Sequence, residues 1–199
     1  MCPGGMVVAA ASEVGRLVTN GMSNYRRDSG IANSALLVQV TPADWGGDVL
    51  GGIRFQREME ERAFRLGGED YCAPVQSVGD FCVGRTGMRD FAVTPTYVPG
   101  VHPADLRALL PPACTASLAR ALTFWEARVP GFGAADVPMT GVESRSSAPC
   151  RILRDPQTME AVSAVGLYPI GEGAGYAGGI MSAALDGLKA VLAFLGNMK

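Results

Sequence analysis

Near the end of the chain, Gly171-Glu172-Gly173-Ala174-Gly175-Tyr176-Ala177-Gly178-Gly179 combines glycines at close intervals with one carboxylate and one phenol. From Gly173 to Gly178 the spacing is G-x-G-x-x-G, the pattern that cradles a dinucleotide pyrophosphate. The complete fingerprint also needs a second strand ending in an acidic residue about 20 positions on. The residues after Gly178 instead carry the pattern of a single helix. What remains is local physics: glycines let a ligand approach the backbone, and a helix start offers free amides to negative charge. Such a place suits a ring carbonyl that gains electrons as well as a phosphate. The plain alternative is a tight crossing from strand to helix. No Lys-Ser or Lys-Thr follows the glycines, so a P-loop is set aside.

Other reactive side chains are sparse. Five cysteines (Cys2, Cys72, Cys82, Cys114, Cys150) are scattered without a CxxC pair, and His102 is the single histidine, so no zinc site and no other metal site is expected. His102 beside Pro103 reads as an exposed turn residue. Glu143 and Arg145 alternate with Val142 and Ser144, which places both on one strand face, to pair with each other or to hold an anionic substrate. Asp186 is expected to pair with Lys189 on the polar side of the last helix.

The elements that position these residues follow from periodicity. Met6–Ala10 and Ala35–Val40 are short apolar runs expected as buried strands, with a polar loop at Thr19–Tyr25 marked by Asn20-Gly21. Residues Ile53–Leu66 have helical spacing and stop at Gly67-Gly68, and a Pro-containing irregular stretch follows. Helices are expected over Pro103–Leu110 and Ala113–Ala127, strands over Pro138–Glu143, Cys150–Leu153 and Gly166–Ile170, and a buried helix after the Gly-rich loop. Asp186 and Lys189 in the middle of Gly178–Leu195 argue against a membrane span. The division is then 1–45 with 134–199 as one sheet-containing core, and 46–133 as a mainly helical insertion.

Composition narrows the class. An apolar share of 48% against 18% charged residues fits a globular protein, and a net charge of -2 without basic blocks excludes a nucleic-acid binder. An odd, dispersed cysteine set fits a reducing compartment, the cytoplasm by default.

The segment Gly166-Leu167-Tyr168-Pro169-Ile170-Gly171-Glu172-Gly173-Ala174-Gly175-Tyr176-Ala177-Gly178-Gly179-Ile180-Met181-Ser182-Ala183-Ala184-Leu185-Asp186-Gly187 resembles the closing segment of a family of bacterial FAD-dependent dehydrogenases related to the two-dinucleotide-fold flavoproteins. Further similar stretches are Cys2-Pro3-Gly4-Gly5, Asn20-Gly21-Met22-Ser23, Ala73-Pro74-Val75-Gln76, Pro95-Thr96-Tyr97-Val98-Pro99-Gly100 and Gly141-Val142-Glu143-Ser144-Arg145-Ser146-Ser147-Ala148-Pro149. The resemblance implies an α/β fold with α+β elements, in which part of an FAD-binding Rossmann-like domain is interrupted by the insertion. It implies FAD as cofactor, an unidentified small-molecule substrate, and a preceding half that carries its own glycine fingerprint and serves as partner. A homodimer is a further possibility.

Residue by residue, the resemblance puts Gly171, Glu172 and Gly173 beside the flavin, with Glu172 at the ribityl hydroxyls; the alternative for Glu172 is a helix-proximal carboxylate stabilised by the N-terminal dipole. Ala177, Gly178, Gly179 and Ile180 would turn the first helix amides toward the pyrimidine side of the ring. Tyr176 either borders the ring or covers the core, and Cys2 is either a redox thiol or a buried structural cysteine. The contrasting functional class is a truncated, non-catalytic module that folds and binds a partner.

Overall fold

The computed structural model describes residues 2–10, 13–87 and 90–197. They form two compact units, Met1–Thr41 with Gln56–Ser144, and Pro42–Phe55 with Arg145–Lys199. These boundaries differ from the 45/46 and 133/134 divisions that composition suggests. The class is mixed α and β, with small sheets and four α-helices among the described residues.

In the first unit, β1 (Cys2–Pro3) pairs with β4 (Ala32–Asn33), and β2 (Gly5–Ala9) pairs antiparallel with β3 (Thr19–Ser23). The expected loop at Thr19–Tyr25 is thus largely a strand. Its Asn-Gly pair is no turn: Gly21 faces Val7 in the ladder, and a Cβ there would lie 3.1 Å from the Asn33 side chain. Asn33 Nδ2 donates to the Met6 carbonyl at 2.7 Å and to that of Met22 at 3.2 Å, which requires the close approach. The strand expected at Ala35–Val40 does not form. Leu36 and Val38 still alternate onto the core, but among the described residues this stretch has no ladder partner.

Helix α1 (Gly51–Leu66) buries Met59 and Ala63 at helical spacing. It stops where Gly67 closes on Ala63, since a Cβ at Gly67 would stand 1.9 Å from the Cys72 carbonyl oxygen. The Pro-containing stretch that follows is ordered: β5 (Ala73–Ser77) is the buried centre of a sheet, parallel to β6 (Val101–Pro103) and antiparallel to β7 (Pro138–Thr140). Proline is rare in a central strand because it removes a ladder donor. Here the β7 ladder begins only at Val75, and Pro74 contributes its carbonyl alone, accepting from Gly141 N–H at 3.1 Å.

Helix α2 (Val78–Val83) starts at a Ser77 cap that accepts from Asp80 N–H at 3.2 Å and ends at Gly84 in the left-handed region. The helix expected over Pro103–Leu110 is reduced to one 3-10 turn, Leu106–Ala108, because Val101–Pro103 is drawn into β6 and Pro111-Pro112 opens the next helix. Helix α3 (Pro112–Glu126) buries Leu118 and Leu122. These join Leu17, Val78, Phe81 and Leu109 in one apolar core, where each large side chain contributes about 1.5–3 kcal/mol by burial.

The second unit has a thinner interior. Its buried apolar side chains, Met159, Ala161, Ala174 and Ala190, are mostly small. The strands expected at Cys150–Leu153 and Gly166–Ile170 do not form; an isolated bridge joins Arg154 to Ala161, and single backbone bonds tie Ile152 to Ala174 and Ala161 to Leu167. A strand needs a neighbour to satisfy its backbone, and the described residues of this unit supply none in register. Helix α4 (Ile180–Asn197) is present as expected, but its apolar residues Ile180, Met181, Leu188 and Leu192 are exposed. Among the described residues, no helix is long and apolar enough to cross a membrane.

Candidate functional site

The Gly-rich segment is a chain of turns that delivers the backbone to α4. Its glycines fall into two kinds. Gly171 and Gly175 are in the left-handed region, and a Cβ at Gly175 would lie 2.6 Å from the Cys150 carbonyl oxygen, so these positions are dictated by folding. Gly173 and Gly178 would each carry a Cβ into open space. Packing among the described residues does not demand glycine at either one.

At the helix start, Ser182 reaches back: its hydroxyl accepts from Gly179 N–H at 3.1 Å and donates to the Gly179 carbonyl at 2.9 Å. This is half of a capping box. The first intrahelical bond runs from Ala183 N–H to the Gly179 carbonyl. The amides of Ile180, Met181 and Ser182 therefore precede the ladder, at the end of α4 where the helix dipole favours negative charge.

The expected pairing of Asp186 with Lys189 gives way to a stronger arrangement. Arg154 grips Asp186 with two nitrogens, Nη1 to Oδ2 at 2.8 Å and Nη2 to Oδ1 at 2.6 Å. Oδ2 also accepts from Gly171 N–H at 2.9 Å, and Arg154 donates to the Pro169 carbonyl at 2.7 Å. Both charged side chains are mostly buried, with 8% and 12% of their surfaces exposed. The Arg154 hydrogen bonds hold the Asp186 carboxyl at about 2, with smaller help from Gly171 N–H and the nearby Lys189 charge against the cost of burial. Lys189 acts only at a distance. The signal available in sequence was a single carboxylate on a largely apolar helix, which calls for a cationic partner. That partner lies far away in the chain.

Tyr176 is engaged inside the unit. Its hydroxyl donates to the Ile152 carbonyl at 3.0 Å, and the Arg154 guanidinium lies 3.5 Å from its ring centroid. Glu172 is exposed, with its carbonyl accepting from Gly175 N–H at 2.8 Å. Ala177 is half-buried, and Gly178, Gly179 and Ile180 are exposed in succession.

The remaining candidates lie outside the Gly-rich segment in the chain. Glu143 and Arg145 fall beyond the end of β7 in irregular backbone, not on a strand face, and burial raises the Glu143 carboxyl. His102 is exposed as expected but belongs to β6 instead of a turn. The backbone of Cys2 belongs to β1, and its side chain lies outside the described residues. Cys72, Cys82, Cys114 and Cys150 form no disulfide.

Comparison with known proteins supplies the class. The family described as FAD-dependent protein, C-terminal domain-like, matches residues 1–146, and the chain belongs to that family. A protein of Clostridium beijerinckii, described as an uncharacterized protein, is 48% identical over 190 residues. The alignment covers 95% of this chain and 36% of that protein, so the chain spans about a third of the relative's length. The Gly-rich loop and α4 follow the stretch matched by the family model.

Proposed function

We propose that the chain forms the C-terminal part of an FAD-dependent oxidoreductase of the dehydrogenase type, in which the Gly-rich loop and the start of α4 face the flavin. Family membership supports a flavoprotein-related domain. The observation that carries the placement is the open ground at Gly173 and Gly178, next to the unladdered amides of Ile180, Met181 and Ser182. A flat, electron-accepting ring needs such a surface: no side chain in the way, and donors aimed at developing negative charge. Hydride exchange with a small-molecule substrate is the chemistry that FAD supplies when bound.

In this reading Gly171, Gly173, Ala177, Gly178, Gly179 and Ile180 present backbone to the cofactor, and Glu172 offers a carboxylate to its hydroxyls. Tyr176, held by Ile152 and Arg154, keeps the loop in shape from behind. Residues 1–45 and 134–199 would go with the flavin core, and 46–133 would face the substrate. The adenine half of FAD and the exposed apolar face of α4 would be covered by the rest of a longer flavoprotein, of which the relative's greater length is the support. The odd, dispersed cysteine set supports a cytoplasmic setting.

The test is FAD bound per protein after gel filtration. The full-length relative is expected to retain one FAD, and this chain alone to bind free FAD weakly because, among its described residues, no strand–helix–strand unit carries the glycine fingerprint of a pyrophosphate cradle. A full-length protein that purifies without flavin and takes up none would overturn the proposal.

A further inference from the structure

In the first unit, the turn after α1 and the edge of the β5–β6 pair bring together three side chains that sequence spacing keeps apart. Asp70, Cys72 and His102 each place one donor atom, a carboxylate oxygen, Sγ and a ring nitrogen, within 4.8 Å of the other two. Parallel pairing produces the meeting: Ala73 N–H bonds to the Gly100 carbonyl at 2.9 Å, and Pro74 stands opposite His102. Cys72 therefore precedes the strand beside the residue that carries the imidazole.

Asp70 is aimed by its own turn. Its Oδ1 accepts from Cys72 N–H at 2.9 Å, and Oδ2 lies 3.3 Å from His102 Nε2. On the other side the backbone is pressed close: a Cβ at Gly68, whose φ is +96°, would lie 3.0 Å from His102 Cδ2. Glu69 and Tyr71, which flank Asp70, both occupy the left-handed region that non-glycine residues seldom adopt. Tyr71 is anchored there against the Phe64 ring at 4.8 Å and by its hydroxyl, which accepts from Gly15 N–H at 3.2 Å.

We propose that Asp70, Cys72 and His102 form a site for one divalent transition-metal ion of the zinc type. The donor set is one thiolate, one imidazole and one carboxylate, the mixed S, N and O chemistry that suits Zn2+ or Co2+ in tetrahedral geometry. Three protein donors leave the fourth position to water. Thiolate and carboxylate together neutralise the dication, and the proton leaving the Cys72 thiol passes to solvent as the metal–sulfur bond forms. About half of the Asp70 and His102 side-chain surface is exposed, 55% and 48%, so an ion has a path in and the donors have room to close on it. The site belongs to the first unit and the Gly-rich loop to the second, and the proposal does not depend on the flavin reading.

The experiment is a titration of the reduced, untagged full chain with Co2+ alone, followed by displacement with Zn2+ alone. One Co2+ per chain is expected, with a thiolate-to-metal charge-transfer band and intense tetrahedral visible bands that Zn2+ erases. Cys72→Ser should abolish the charge-transfer band, and Cys82→Ser and Cys150→Ser should keep it. His102→Gln, a change at an exposed side chain that leaves folding intact, should weaken binding at least tenfold, as should Asp70→Asn. A band that survives Cys72→Ser, a wild-type chain that shows no band in excess Co2+, or unchanged affinity in His102→Gln would each overturn the site.

Discussion

Arg154 and Asp186 are joined by two charge-assisted hydrogen bonds in the second unit, and the same carboxylate holds the amide of Gly171 at the mouth of the Gly-rich loop. This fork is the main polar connection between α4 and the loop that precedes it. Its removal exposes what it supports. In Asp186→Asn the Arg154 charge stays buried without its partner, which costs about 3 kcal/mol. Hydrogen exchange by mass spectrometry should show faster exchange across Gly171–Gly175, with the first unit unchanged. On the proposed flavin placement, the equivalent variant of the full-length relative should also lose FAD, because the loop that offers the backbone is no longer fixed.

Acid should act in the same place. The Asp186 carboxyl titrates near 2 in the folded chain against 3.8 when free, so the unfolded state binds its proton first as pH falls. The fork's contribution is therefore complete above about pH 4 and declines toward pH 2, a total on the order of 2 kcal/mol. Urea denaturation followed by circular dichroism between pH 5 and pH 2 should show this decline, and Asp186→Asn should remove that component of the slope.

The two kinds of glycine give a paired test. Gly175→Ala meets the Cys150 carbonyl from a left-handed backbone and should lower the melting temperature. Gly178→Ala enters open space and should leave it unchanged. Gly178→Asp should fold equally well, yet on the proposed placement the equivalent change in the full-length relative should abolish FAD retention by bringing negative charge to the helix amides. Equal FAD retention in Gly178→Asp and wild type would remove the cofactor from this end of α4.

In the first unit, Gln76 is the polar residue to remove. Its Nε2 donates to the Arg85 carbonyl at 2.7 Å, and its Oε1 accepts from Leu106 N–H at 3.0 Å, both from a buried position in β5. Gln76→Leu keeps the volume and strands two backbone groups, at a cost of about 1–3 kcal/mol for each group left unsatisfied. Chemical denaturation should show the loss with an unchanged m-value.

Local patterns were legible where the chain supplies its own partner. Helices α1, α3 and α4 were readable because each carries periodic spacing over many residues, and strand β2 because Met6–Ala10 is short and apolar. Pairing across distance was not. Thr19–Ser23 looks like a polar loop until Asn33 arrives to bond across Gly21, and Ala73–Ser77 hides a central strand behind Pro74 because the end of the β7 ladder cannot be read from composition. In the candidate site the glycines could be found by spacing, but not the division between those required by folding and those left open. Arg154, which sets the shape of the loop, has no sequence neighbour that announces it. The meeting of Asp70, Cys72 and His102 depends on a parallel register between strands far apart in the chain.

The thin interior of the second unit has a consequence for the order in which the molecule comes apart. The first unit is held by oily side chains, whose attraction is indifferent to protons. The second has few of these and relies on a buried ionic fork for much of its shape. Acid near pH 2 should then produce a half-melted chain in which the Gly-rich turns have let go of α4 while Phe81, Leu109 and Leu122 remain locked together, a molecule that has lost its grip before it has lost its body.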